Sequence, residues 1–139
     1  MSKSLLYRLF GIGKIPDKLR ATLRTEGVLF MEEGLRGSAT YRDFRAPGRY
    51  SNWRRQWYPA SLVLTKERLL ALSYSNPIID IPLRDERLRR LQFTREAGDR
   101  LSVAFDPALF HDDWSGTIEY RFRTPEAARF LELLRASLR

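Results

Sequence analysis

Apolar and polar residues alternate with a period of two along several short stretches of the chain. The clearest stretch is residues 117–123, where Ile118, Tyr120 and Phe122 alternate with polar neighbours. This pattern is typical of a β-strand that buries one face and exposes the other. The same alternation predicts strands over 61–65, 68–74, 79–83, 90–94 and 101–105, and, before them, over 28–31 and 38–45, which form one interrupted strand or two short ones.

Turn residues separate these runs. Lys66 and Glu67 lie between two predicted strands and indicate a tight hairpin. Pro82 has no amide hydrogen to donate, so its strand is expected to lie at an edge of the sheet or to end there. Further turns are predicted at residues 75–77, 97–99 and 115–116.

The chain ends in a pattern with helical spacing. Thr124 is a suitable capping residue, and Pro125 suits the first helical position. A single apolar stripe of about four turns then follows, made of Ala127, Phe130, Leu131, Leu134 and Leu138. The sequence therefore predicts a mainly β (α+β) domain over residues 25–139, with about seven antiparallel strands closed by one C-terminal amphipathic helix.

Three segments of this domain resemble the pleckstrin-homology superfold in its bacterial PH-like or GRAM-like form. They are residues 61–72 (SLVLTKERLLAL), 78–83 (IIDIPL) and 116–131 (GTIEYRFRTPEAARFL). The first is similar to the second and third strands of the family, the second to its fourth strand, and the third to its last strand and closing helix. The resemblance implies a bent sheet or partly open barrel.

The same resemblance implies that residues 42–57 form the loop between the first and second strands. Many pleckstrin-homology domains hold phosphoinositide head groups in this loop with a basic motif. Arg49, Arg54 and Arg55 are similar to part of that motif, but Gln56 stands where a final basic residue would be expected. The resemblance therefore does not imply specificity for inositol phosphates.

The amino-acid composition excludes several classes of function. The 139 residues include no cysteine and one histidine, which excludes thiol catalysis, cysteine zinc sites and a disulfide scaffold, and suits the cytoplasm. The longest uncharged run, residues 69–79, is far shorter than the ~20 apolar residues of a membrane span. His111, Asp112 and Asp113 are the only cluster with ligand chemistry. They are more typical of a solvated loop beside a packing residue, Trp114, so we expect no metal, no cofactor and no enzyme.

Positive charge is concentrated in the first half of the chain. Residues 1–70 carry 14 basic and 6 acidic side chains, whereas residues 71–139 carry 11 of each. Such a field attracts phosphates on a membrane surface or a nucleic acid. Arginine makes up 21 of the 25 basic residues, so codon usage in a G+C-rich genome is an alternative origin of the total charge but not of its clustering.

The strongest candidate site is residues 41–58, where arginines are interleaved with aromatic side chains. Arginine binds phosphate in a bidentate manner, and exposed tryptophan stacks on bases or sits at a membrane interface. The alternative is that these aromatics pack in the core or at an edge, with arginine stacked over them. The candidate residues for anionic groups are Arg42, Arg45, Arg49, Arg54, Arg55, Trp53 and Trp57.

The basic N-terminal segment, residues 1–24, contains a run at 4–15 with apolar residues near one helical face. It predicts a short helix that either lies on acidic lipid or docks against the domain or a second copy, and the docked arrangement is favoured. Glycines at positions 11 and 13 weaken this helix.

These features together favour a non-enzymatic binding module. Its partner is expected to be an anionic membrane surface, which would place the protein at the membrane periphery, or an acidic protein surface. The alternatives are a self-assembling scaffold domain that forms a homo-oligomer and, less favoured, a nucleic-acid binder.

Overall fold

The computed structural model describes residues 14–138. Two α-helices lie in this range, α1 (Asp17–Glu26) and α2 (Ala127–Ser137), together with 3-10 helices at Glu86–Arg90 and Pro107–Leu109. Its seven strands are β1 (Val28–Ala46), β2 (Arg49–Thr65), β3 (Arg68–Ser73), β4 (Asn76–Pro82), β5 (Gln92–Glu96), β6 (Arg100–Phe105) and β7 (Ser115–Arg123).

All seven strands form one antiparallel sheet in the order β4-β3-β2-β1-β7-β6-β5. The sheet is followed by the C-terminal helix, which confirms the predicted fold class. Strand β1 is 19 residues long and pairs with β2 along its length and with β7 over residues 36–45. Strand β4 is an edge strand, so Pro82 removes no hydrogen bond from the interior of the sheet, as predicted.

One face of the sheet carries the main core. Ile118, Tyr120 and Phe122 of β7 are buried there, as their alternation predicts. Helix α2 covers this face, and its Phe130 ring meets Phe30 edge to face at 5.3 Å between centroids. This contact ties the C-terminal helix to the long strand β1 and closes the core.

Helix α2 is shorter than its apolar stripe predicts, about three turns instead of four, because it begins at Ala127 and has 11 residues. The Thr124 hydroxyl accepts a hydrogen bond from the Glu126 amide at 3.1 Å. Thr124 therefore caps the turn before the helix, and Pro125 lies in that turn rather than at the first helical position.

A smaller apolar cluster lies on the other face of the sheet. Leu23 of α1 and Ile15 pack there with Val63, Leu70 and Leu72 of β2 and β3. Helix α1 begins directly after Pro16 and crosses the predicted boundary between residues 24 and 25. The helix predicted over residues 4–15 lies, apart from its last two residues, outside the described range.

One predicted loop and one predicted turn are wrong. Residues 42–57 are not a loop, because β1 and β2 continue through them and only Pro47 and Gly48 form the turn. Large aromatic side chains favour extended backbone, and Gly48, with φ +73°, accommodates a tight reversal. Residues 115–116 are not a turn either, because they begin β7.

The alternating stretches at residues 28–31 and 38–45 form one strand, β1, which has register irregularities. In the pairing with β2 these irregularities lie between Val28 and Phe30 and between Glu32 and Leu35. A further irregularity lies between Arg42 and Arg45 in the pairing with β7, where Asp43 has φ +48° and faces Gly116. Such bulges bend a strand, which allows β1 to serve both halves of the sheet.

Gly116 is required at the bulge between Arg42 and Arg45. Its φ is +108°, and a Cβ atom there would lie 2.5 Å from the Asp43 carbonyl oxygen. We expect Gly116→Ala to lower the free energy of unfolding by about 2–4 kcal/mol. Gly48→Ala is the matched control, because it has a positive φ but open space around it, and should cost about 1–2 kcal/mol. Equal midpoints in urea denaturation would contradict the close approach at Gly116.

Buried tyrosines make the fold sensitive to alkali. Burial raises the pKa of the Tyr58 and Tyr120 hydroxyls above the ordinary value of 10.0. The folded state therefore favours the neutral hydroxyls. Their contribution to the free energy of unfolding is complete below pH 10.0 and is lost as the pH rises beyond it. Urea midpoints at about pH 8 and about pH 11 should differ less in Tyr120→Phe than in the parent chain. If the two midpoints differ as much in Tyr120→Phe as in the parent chain, Tyr120 does not contribute to the loss of stability in alkali.

Candidate anion-binding face

The face of the sheet opposite the main core carries a polar surface on β2, β1, β7 and β6. Strand register places side chains of these strands side by side in rows. One row consists of Trp57, Ser38, Arg121 and Ser102. The rows on either side of it consist of Pro59, Arg36, Arg123 and Arg100, and of Arg55, Thr40, Glu119 and Ala104. We call this surface the arginine face.

A groove of about 490 Å³ runs through the arginine face. Ser38, Thr40 and Ser102 are small and buried, because longer side chains on either side rise above them. Those longer side chains that line the groove are Arg36, Arg55, Arg100, Arg121, Arg123 and Trp57. We call this feature the arginine groove. It combines one small polar side chain, Ser38, with guanidinium groups and one aromatic ring.

Three arginines lie next to one another across neighbouring strands. Arg36 of β1 pairs with Arg123 of β7, which pairs with Arg100 of β6. Like charges directly opposite each other destabilise a sheet. Asp99 lies 3.5 Å from Arg123, and Glu96 of β5 pairs with Arg100 at the end of the row, so both carboxylates offset part of this repulsion. An anion bound between the three guanidinium groups would remove more of it.

Glu119 organises the centre of the face. Its carboxylate oxygen Oε1 lies 3.1 Å from Arg42 and 3.0 Å from Arg121, and its side chain is 11% exposed. Glu96 lies 3.8 Å from the Arg121 Nε atom. Within residues 14–138, no carboxylate forms an ion pair with Arg36, Arg55 or Arg100. Arg100 has Glu96 of β5 opposite it in register, whereas the positive charges of Arg36 and Arg55 are available to a partner.

Arg55 is held between two tryptophans. Its guanidinium carbon lies 5.3 Å from the Trp53 ring centroid and 5.9 Å from the Trp57 centroid. Its Nε atom donates a hydrogen bond to the Thr40 hydroxyl at 3.0 Å. Trp53 and Trp57 are 58% and 71% exposed, which is unusual for such large rings. The stack orients the arginine and leaves the outer ring surfaces open to solvent.

The structure brings together four of the seven predicted site residues. Arg42, Trp53, Arg55 and Trp57 lie on the arginine face. The alternative interpretation of residues 41–58, in which the aromatics pack in the core, is correct for Phe44 and Tyr58. Binding of anionic groups by the exposed residues stays a prediction.

The remaining three predicted residues lie elsewhere. Arg54 stacks on the Tyr41 ring at 4.8 Å, on the opposite side of β2 from Arg55. Arg45 and Arg49 lie near the hairpin turn, where Arg45 stacks on Tyr50 at 4.9 Å. At ~3.3 Å per residue along a strand, Arg49 is about 20 Å from Arg55. These three are therefore not part of the groove.

Sequence pattern alone does not identify four arginines of the groove, Arg36, Arg100, Arg121 and Arg123. Three of them come from the half of the chain whose charge is balanced. The alternation in β7 does place Arg121 and Arg123 opposite the core. Their grouping with Arg36, however, depends on the pairing of β7 with β1, which no local pattern reveals.

The other candidate cluster, His111, Asp112 and Asp113, lies in the turn before β7. His111 is exposed, and its ring stacks on Trp114 at 3.8 Å between centroids. Trp114 in turn packs against Phe44, as expected for a packing residue. Across residues 14–138, no group of three histidine, cysteine or acidic side chains could hold a metal ion. No helix in the same range has the length and apolar character to cross a membrane.

Comparison with protein-family models and with curated protein sequences finds no match to this chain. Its function must therefore be inferred from the geometry of the arginine face.

Glu119 is expected to stabilise the fold and to limit anion binding. Glu119→Gln leaves Arg42 and Arg121 without their shared carboxylate, so the free energy of unfolding should fall by about 1–3 kcal/mol. The same change should tighten binding of anions, because it adds one net positive charge to the face. The matched control is Glu96→Gln, whose carboxylate is farther from Arg121 and 33% exposed. It should change stability by about 0.5 kcal/mol or less in urea denaturation, and an equal loss in both variants would contradict the role of Glu119.

Proposed function

We propose that this chain is a non-enzymatic, cytoplasmic binding module of the pleckstrin-homology superfold that takes an anionic partner in the arginine groove. The observation that carries the proposal is the row of Arg36, Arg123 and Arg100 on adjacent strands. This row keeps like charges together at a cost to the stability of the fold. A binding function gives this row a role, since an anion converts the repulsion into attraction.

The seven-stranded antiparallel sheet with its closing C-terminal helix supports the superfold assignment. The resemblance of residues 61–72, 78–83 and 116–131 supports it from the sequence. The site proposed here lies on the outer face of the sheet, and not in a loop between the first two strands.

The chemistry of the groove supports binding rather than catalysis. Its charged groups are arginines, which stay protonated at all physiological pH values, and carboxylates that are paired with them. General acid–base catalysis needs a group that gains and loses a proton near neutral pH. Ser38 lines the groove, but no histidine lines it to activate this hydroxyl.

Guanidinium groups determine what the groove can recognise. Each presents a planar set of donors that matches a carboxylate or a phosphate in a bidentate manner. Since Arg36 and Arg100 are accessible to salt, the affinity should fall as ionic strength rises. Trp57 at the rim adds an apolar surface that can lie against the partner.

The test compares binding of three anionic probes in the parent chain and in Arg36→Ser/Arg100→Ser. The probes are an acidic peptide, vesicles rich in phosphatidylserine, and single-stranded DNA, each followed by tryptophan fluorescence. We expect at least one probe to bind the parent chain and to bind the double variant about tenfold or more weakly, about 1.4 kcal/mol. The variant should be at least as stable as the parent, because the substitutions relieve repulsion.

Arg24→Ser/Arg135→Ser is the matched control. It removes the same net charge from exposed positions on α1 and α2, away from the groove. An equal loss of affinity in both double variants would show that net charge alone attracts the probe. That result, or the failure of all three probes to bind, would overturn the proposal.

A further inference from the structure

Strand β2 has an open edge beside the arginine face. Strand β3 pairs with β2 only from Ala60 to Leu64. Within residues 14–138, no strand lies on the β3 side of residues 49–58, although β1 pairs with them on the other side. About half of a long strand therefore presents backbone hydrogen-bonding groups without a neighbouring strand.

The end of β3 is set by local geometry. Tyr74 has φ +58° and follows the last residue of β3, so the chain turns away at this point. Its amide donates a hydrogen bond of 2.8 Å to the Pro59 carbonyl. The Pro59 carbonyl therefore points toward the β3 side and marks where the covered part of β2 ends.

Backbone groups alternate in direction along a strand, so this bond identifies the groups that face the open edge. Residues two apart point their N–H and C=O groups the same way. The register between β1 and β2 is regular from Pro59 to Arg49, and the alternation is therefore unbroken. Trp57, Arg55 and Trp53 thus direct their backbone groups to the open edge, and their side chains lie on the arginine face.

Charge decides which kind of chain fits this edge. Strand β2 contains three arginines, Arg49, Arg54 and Arg55, and no acidic residue. A second copy of the chain that paired through the same edge would bring these arginines against each other, which is unfavourable. An acidic chain in the same place would meet opposite charge at these three positions.

We propose that the open edge of β2 binds an extended acidic peptide segment, which adds to the sheet as a further strand. This inference rests on the proposed function, because the bound segment would share Arg55 and Trp57 with the arginine groove. Backbone hydrogen bonds to Trp53, Arg55 and Trp57 would hold the peptide, in the manner of β-strand addition. Acidic side chains at alternate positions would lie on the arginine face, ~4.8 Å from the neighbouring side chains of β2.

The alternation sets the sequence preference of the partner. Peptide residues whose side chains share the arginine face with Arg55 should be aspartate or glutamate, or apolar where they meet Trp53 or Trp57. Residues between them point to the opposite face of the sheet, where Arg54 lies on Tyr41. A lipid headgroup or a nucleic acid would use the arginines but would leave the backbone groups of the edge unpaired.

The test uses a peptide of five alternating Glu-Thr pairs and the full-length protein. Two further versions carry N-methyl groups on the amides of either the glutamates or the threonines, which removes those hydrogens without changing charge. In strand addition only one of these two sets of amides faces β2. We expect one methylated peptide to bind within about threefold of the parent peptide and the other to bind at least about tenfold more weakly.

Hydrogen exchange provides the readout on the protein. The amides of Trp53, Arg55 and Trp57 should become protected when the parent peptide binds, whereas the amide of Gln56, which already faces β1, should change little. Arg24→Ser/Arg135→Ser should bind the parent peptide within about twofold of the unmodified chain, because its substitutions lie away from the edge.

The outcomes separate this inference from the proposed function. If both methylated peptides bind as tightly as the parent peptide and no edge amide is protected, strand addition is wrong but the arginine groove still binds anions. Binding of vesicles or single-stranded DNA without binding of the peptide would also show that strand addition is wrong and that the arginine groove binds anions. If no anionic probe binds, both proposals fall.

Discussion

The fold depends on the hydrogen bonding of one long strand to two partners. Strand β1 pairs with β2 and with β7, and so joins the two halves of the sheet. It serves both because it bends at bulges, one of which brings Gly116 against the backbone of Asp43. The interior face of this bent sheet receives α2, and the opposite face carries α1 at one end and the arginine groove at the other.

Much of the fold follows from local pattern. The alternation in β6 and β7 and the stripe in α2 predict the buried residues correctly, because a strand or helix that buries one face repeats its apolar residues at the period of the element. Local pattern fails where both faces of a strand carry large side chains. Residues 42–57 combine arginine and aromatics with Asp43, Pro47, Gly48, Ser51 and Asn52, which are residue types typical of turns. The pairing of β1 with β2, rather than alternation, holds all of them but Pro47 and Gly48 extended.

The candidate site is only partly predictable for a related reason. Arg42, Trp53, Arg55 and Trp57 are close in sequence, so a search for basic and aromatic clusters finds them. Arg36, Arg100, Arg121 and Arg123 become their neighbours through strand register, which is set by contacts between distant parts of the chain. Counting the charges in each region of the sequence does not detect this group. Such a count follows the order of residues along the chain, whereas the groove is formed by residues on neighbouring strands.

The groove consists of residues from position 36 to position 123, and this has a thermodynamic consequence. An unfolded chain cannot hold these side chains together, so a ligand of the groove binds the native state alone. Occupancy is then linked to the folding equilibrium by mass action, and a ligand at one hundred times its Kd adds about 2.7 kcal/mol to the free energy of unfolding. A shift in melting temperature therefore reports ligands of this chain even before their identity is known.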